Sequence, residues 1–128
     1  MMRRLLGLVA LPTILMAAAG VQAAEIRPHM AGWEQILSLE YGPGQAQGRP
    51  TIEGTVTNIS PYDLTGIRLL VDTLDAGGEV AGQKVAWVPG ELRGGGRLHF
   101  SVPTTPAPAY RVRVFTYDRI ESVGGNQR

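Results

Sequence analysis

The sequence predicts an all-β domain of two packed sheets with six to seven short strands, and three observations predict it. Apolar and polar residues alternate over short runs, the period of a half-buried strand. Glycine and proline, 17 and 9 of the 128 residues, punctuate these runs at intervals near the ~8 to 12 residues of a sandwich. Beyond the N-terminal segment no run has a capped helical period. A small, partly open β-barrel is the alternative architecture.

Residues 1–23 read as a secretory signal rather than as part of the fold. Arg3 and Arg4 supply the positive start, residues 5–20 are uncharged and mostly apolar, and Val21-Gln22-Ala23 fits a signal-peptidase site. Cleavage is expected after Ala23 by the general secretory route, giving a periplasmic or secreted protein. The apolar run is shorter than the ~20 residues of a spanning helix and contains Pro12, so no stable membrane insertion is expected after cleavage.

The 105 residues that follow suffice for one domain. They keep 10 basic and 11 acidic residues, a net charge of −1, which steers toward neither nucleic acid nor anionic lipid. The chain has no cysteine. Disulfides, thiol catalysis and a lipidated cysteine are thereby excluded, and packing alone must hold the fold.

Residues 24–32, broken by Pro28, read as a flexible leader, and the domain is expected over residues 33–121 with a disordered tail at 122–128. Trp33, Leu37, Leu39 and Tyr41 alternate with Glu34, Ser38 and Glu40 as a first strand, interrupted at Gln35-Ile36. Residues 42–50 are rich enough in glycine and proline to read as a loop or a crossing between strands. In residues 51–58, Ile52, Gly54 and Val56 face one way and Glu53, Thr55 and Thr57 the other. Gly54 would let a bulky neighbour, Trp87 or Phe100, lie over bare backbone. Asn58-Ile59-Ser60 matches a glycosylation sequon but reads as a turn with Ser60-Pro61.

Residues 64–75 carry apolar residues on both faces, which points to a central strand or to a bulge near Leu74. Residues 75–79 form a glycine turn, and residues 80–88 return as its partner strand. After the turn at residues 93–96, Leu98, Phe100 and Val102 alternate with His99 and Ser101. In the last strand Tyr110, Val112 and Val114 share one face, and Arg111, Arg113, Phe115 and Tyr117 the other.

Four segments then resemble, in order, the FxLYD domain family: residues 52–60, residues 71–78, residues 95–100 and residues 110–114. Val71 and Leu74 stand where that family has Phe and Tyr, while Asp75 and its glycine turn remain. The resemblance implies an immunoglobulin-like β-sandwich of exported bacterial proteins, and it implies no defined activity.

Chemistry has few candidates. His29 lies in the leader and His99 on an outward strand face, and no serine sits in a nucleophile elbow. Asp72, Asp75 and Glu79 supply oxygen ligands near one turn, but their spacing does not match a calcium loop, and a solvated turn is the simpler reading. No catalytic residue, metal or cofactor is expected. The surface with binding character is the face of Arg111, Arg113, Phe115 and Tyr117, since arginine and aromatic residues supply interface anchors. The expectation is therefore a non-enzymatic binding or accessory module of the bacterial cell envelope, contacting an envelope protein or a glycan. A small hydrolase or metal-dependent enzyme using His99, and a purely structural spacer, are the alternatives.

Overall fold

A computed structural model describes residues 24–121; the expected signal segment and the tail at 122–128 lie outside them. Six strands form: β1 (Leu37–Ala46), β2 (Arg49–Asn58), β3 (Leu64–Leu74), β4 (Val80–Val88), β5 (Arg97–Pro103) and β6 (Ala109–Arg119). They make two three-stranded antiparallel sheets, ordered β1-β2-β5 and β4-β3-β6. The second strand pairs with the fifth in one sheet and the third with the sixth in the other, as in immunoglobulin-like sandwiches. Among the described residues the two sheets share no strand and no strand pairing, so the arrangement is a two-sheet sandwich and not the partly open barrel of the alternative.

The inward faces supply the core predicted by the period of two. Ile52, Val56, Phe100 and Val102 of the first sheet meet Ile67, Leu69, Val71, Val112 and Val114 of the second, with Leu37, Leu64 and Leu92 closing one end. Gly54 lies opposite Tyr41 on one side and Phe100 on the other. A Cβ there would collide with the Glu40 carbonyl oxygen and sit 2.6 Å from Phe100 Cζ. Phe100, not Trp87, is therefore the bulky neighbour over Gly54. Gly54→Ala is expected to cost about 1–3 kcal/mol, as overpacking does. Urea unfolding checks it, and an unchanged midpoint would remove the close approach as the reason for glycine.

Two stretches depart from the expected elements. Trp33–Gln35 is one 3-10 turn instead of the start of a strand, with Gly32 left-handed at φ 79° and the Ile36 N–H donating to the Trp33 carbonyl. Residues 42–50, expected to be a loop, continue β1 and β2 as a hairpin, because proline is tolerated at Pro43 where β1 is an edge strand. The reversal itself uses only Gln47 and Gly48, with φ of 54° and 77° between the paired Ala46 and Arg49. Positive φ at both central residues is what a two-residue hairpin turn of matching twist requires.

β3 is central in its sheet, and its register slips between Thr73 and Leu74 where a bulge was expected. A second irregularity, at Thr65 to Leu69 against β6, has a larger consequence. Gly66 supports it in the left-handed region at φ 63°. Leu69 lies opposite Val114 but Arg68 opposite Thr116, so Phe115 is the extra residue and the alternation of β6 inverts beyond it.

Candidate functional site

The outer face of the β4-β3-β6 sheet is organised in three cross-strand rows: Gln83-Asp72-Arg111, Val85-Leu70-Arg113 and Trp87-Arg68-Thr116. The period of two places these residues away from the core, yet Leu70 and Asp72 are both fully buried. Asp72 was expected in a solvated turn. Instead its Oδ2 accepts from Arg111 Nε at 2.8 Å and from Arg113 Nη2 at 2.7 Å, while its Oδ1 accepts from Gln83 Nε2 at 2.9 Å. A carboxylate at the centre of a sheet needs such charged donors, because removal from water without them costs several kcal/mol.

The four residues of the expected contact face are thereby separated. Arg111 and Arg113 point outward but spend their guanidiniums on Asp72, and Arg113 Nε is buried without a partner. Phe115 packs against the His29 ring, with centroids 4.3 Å apart. Tyr117 packs against the core, because the bulge at Phe115 turns it inward. The alternation in the sequence carries no sign of that inversion, although Gly66 in the partner strand is the residue type that permits it.

Residues 24–32, expected to be a flexible leader, run along this same face. Ile26 N–H donates to Gln83 Oε1 at 2.8 Å and its carbonyl accepts from Gln83 Nε2 at 3.0 Å. Glu25 approaches Arg111 at 3.6 Å, and the His29 N–H donates to the Phe115 carbonyl. Beside this covered half the third row is open. Trp87 is 58% exposed, and the Arg68 guanidinium stacks on it 4.5 Å from the ring centroid.

On the outer face of the other sheet, His99 and Ser101 of β5 meet Glu53 of β2. The Glu53 carboxylate accepts from Ser101 Oγ and Thr51 Oγ1, each at 2.8 Å, and lies 3.3 Å from His99 Nε2. These hydroxyls, Ser101 first, hold the Glu53 carboxyl below its usual pKa, with a smaller part from His99. The Ser101 hydroxyl donates its hydrogen bond to this carboxylate and not to the His99 imidazole, which is the bond a triad would need. His99 itself is 66% exposed.

Asp75 and Glu79 do not join Asp72. Asp75 Oδ1 instead caps its own turn, accepting from the Gly77 and Glu79 N–H groups. The Asn58 amide of the sequon is fully buried, bonded within its turn and to the Leu92 carbonyl. Between the free edges of β1 and β6 lies an apolar groove of about 600 Å³, walled by Tyr41, Pro43, Pro50, Pro106, Pro108 and Tyr110. Its ring and backbone walls suit contact more than proton transfer. No family model, curated protein or solved structure matches this chain.

Proposed function

We propose that this chain is an exported, non-enzymatic binding module of the bacterial cell envelope, related to the FxLYD domains, that holds another envelope protein through the outer face of its β4-β3-β6 sheet. The observation that carries this reading is the open row of Trp87 and Arg68. Folding leaves a tryptophan more than half in water, flanked by the exposed Val85 two residues earlier on β4. Tryptophan and arginine are the residues most often found to dominate protein interfaces, and a stacked pair presents them already ordered. The contact centres on β3 and β4 of this face rather than on the last strand, because Asp72 engages Arg111 and Arg113 and His29 packs on Phe115 within the chain.

Crosslinking in the native cell tests the reading. Trp87→Ala with Arg68→Glu is expected to abolish the crosslinked partner while lowering the thermal transition by about 4–8 °C, since two surface substitutions at about 0.5 kcal/mol each total about 1 kcal/mol. A partner band that persists undiminished in the double variant would overturn it.

A further inference from the structure

The covered half of the same face is built to read an extended chain. Gln83 satisfies both the N–H and the carbonyl of Ile26, the pair of bonds a neighbouring strand would make, and so ignores the side chain at that position. Its carboxamide is held in orientation by the 2.9 Å bond to the buried Asp72. One residue earlier, Arg111 offers a cation to the Glu25 carboxylate while Asp72 fixes its guanidinium. Three residues after Ile26, the Phe115 carbonyl accepts the His29 N–H and the Phe115 ring meets the imidazole. The segment contributes no residue to the core cluster, and the Ile26 side chain stays exposed.

We infer that this face is a docking groove for an extended segment of a partner protein carrying a carboxylate and, four residues later, a flat ring, and that residues 24–30 occupy it as a displaceable internal stand-in. The inference rests on the binding-module reading and names the chemistry of its partner. Apart from the ring contact of His29 with Phe115, the contacts that hold the stand-in are polar, and the Ile26 bonds and the Glu25 pair are exposed, the class that contributes least to stability. A partner segment making the same contacts and also reaching Trp87 and Arg68, which lie two rows away on the same sheet, gains anchors the stand-in lacks.

The test uses the purified full chain, its Glu25→Arg/Ile26→Pro variant, and a labelled peptide with the sequence of residues 24–31. Proline at position 26 removes the N–H that donates to Gln83, and arginine at position 25 repels Arg111, so self-occupancy falls while the groove is untouched. A tethered segment competes at an effective concentration near millimolar, so the peptide is expected to bind the variant at least ~10-fold more tightly than the parent. The same peptide carrying Glu25→Arg is expected to bind about 5-fold more weakly, from the loss of one exposed ion pair at up to about 1 kcal/mol. Equal affinity for parent and variant, or no binding to the variant at about 1 mM peptide, the scale of the effective concentration, overturns the inference. Hydrogen exchange in the parent guards against a variant that fails to fold: the Ile26 amide is expected to exchange far faster than the core strands, and core-level protection overturns displaceability. A silent peptide titration beside a Trp87-dependent crosslink defeats this inference alone. Peptide binding beside a Trp87-independent crosslink defeats only the preceding reading.

Discussion

Asp72→Ala is expected to lower stability by about 3 kcal/mol, the lower part of the range for breaking a buried ion pair. The residue is completely buried and its two carboxylate oxygens take three donors from two other strands. Alanine would leave the guanidiniums of Arg111 and Arg113 facing each other with no anion between them. Their side chains are 39% and 22% exposed, so part of that repulsion relaxes into water, which is why the lower figure applies. For a domain of this size the melting temperature should fall by roughly 12–24 °C, at about 4–8 °C per kcal/mol. The same variant is expected to loosen residues 24–29, because Gln83 loses the bond that orients its carboxamide toward Ile26. A calorimetric transition within about 3 °C of the parent, less than 1 kcal/mol, would show that the arginines do not depend on Asp72.

That cluster also marks where the sequence stopped being informative. Apolar residues on both faces pointed to a central position for β3, as found, with Ile67, Leu69 and Val71 in the core and Leu70 buried on the other face. What alternation cannot say is which outward residues meet outward residues of another strand. Asp72 reaches Arg111 and Arg113 across some forty positions of sequence, a proximity created by the β3-β6 pairing. The hairpin at Gln47-Gly48 was hidden for the opposite reason. Local composition argued against strand, and an edge position in the sheet made Pro43 acceptable there. The segment at residues 24–32 offered no apolar period, because its attachment uses main-chain groups, one salt bridge and one ring contact. Gly54 was legible as a close approach because a glycine inside an alternating strand signals one by itself, although only the β2-β5 pairing selects Phe100 over Trp87, and the turn at Asp75 was legible because it closes on its own residues.

Asn58 extends that local logic to a site where three segments converge, and its replacement is expected to have the other large effect. The amide is fully buried. Its Nδ2 donates to the Tyr62 carbonyl at 2.6 Å and the Leu92 carbonyl at 2.9 Å, and its Oδ1 accepts from the Ser60 N–H and hydroxyl. The main chain of Asn58 pairs at the same time with Gly95 and Gly96, so one residue ties the end of β2 to the turn before β3 and to the turn before β5. In Asn58→Ala the Leu92 carbonyl keeps its bond from the Leu64 N–H and the Ser60 hydroxyl, which also loses its acceptor, is free to rotate, but the Tyr62 carbonyl and the Ser60 N–H are fixed and lose the bonds the amide made. Two such groups at about 1–3 kcal/mol each put the loss near 3 kcal/mol. Asn58→Asp keeps the shape and the acceptor for Ser60 but sets a carboxylate oxygen against two carbonyl oxygens in a dry site. It is therefore expected to be worse than alanine at neutral pH. Burial and the facing carbonyls raise the folded-state pKa of such an acid above its unfolded value, so the deficit is present above that raised pKa and shrinks as pH falls through it. Urea midpoints of both variants at pH 7 and pH 4.5 check this. An aspartate variant as stable as the alanine variant at neutral pH would mean that the two carbonyls are not held against the side chain.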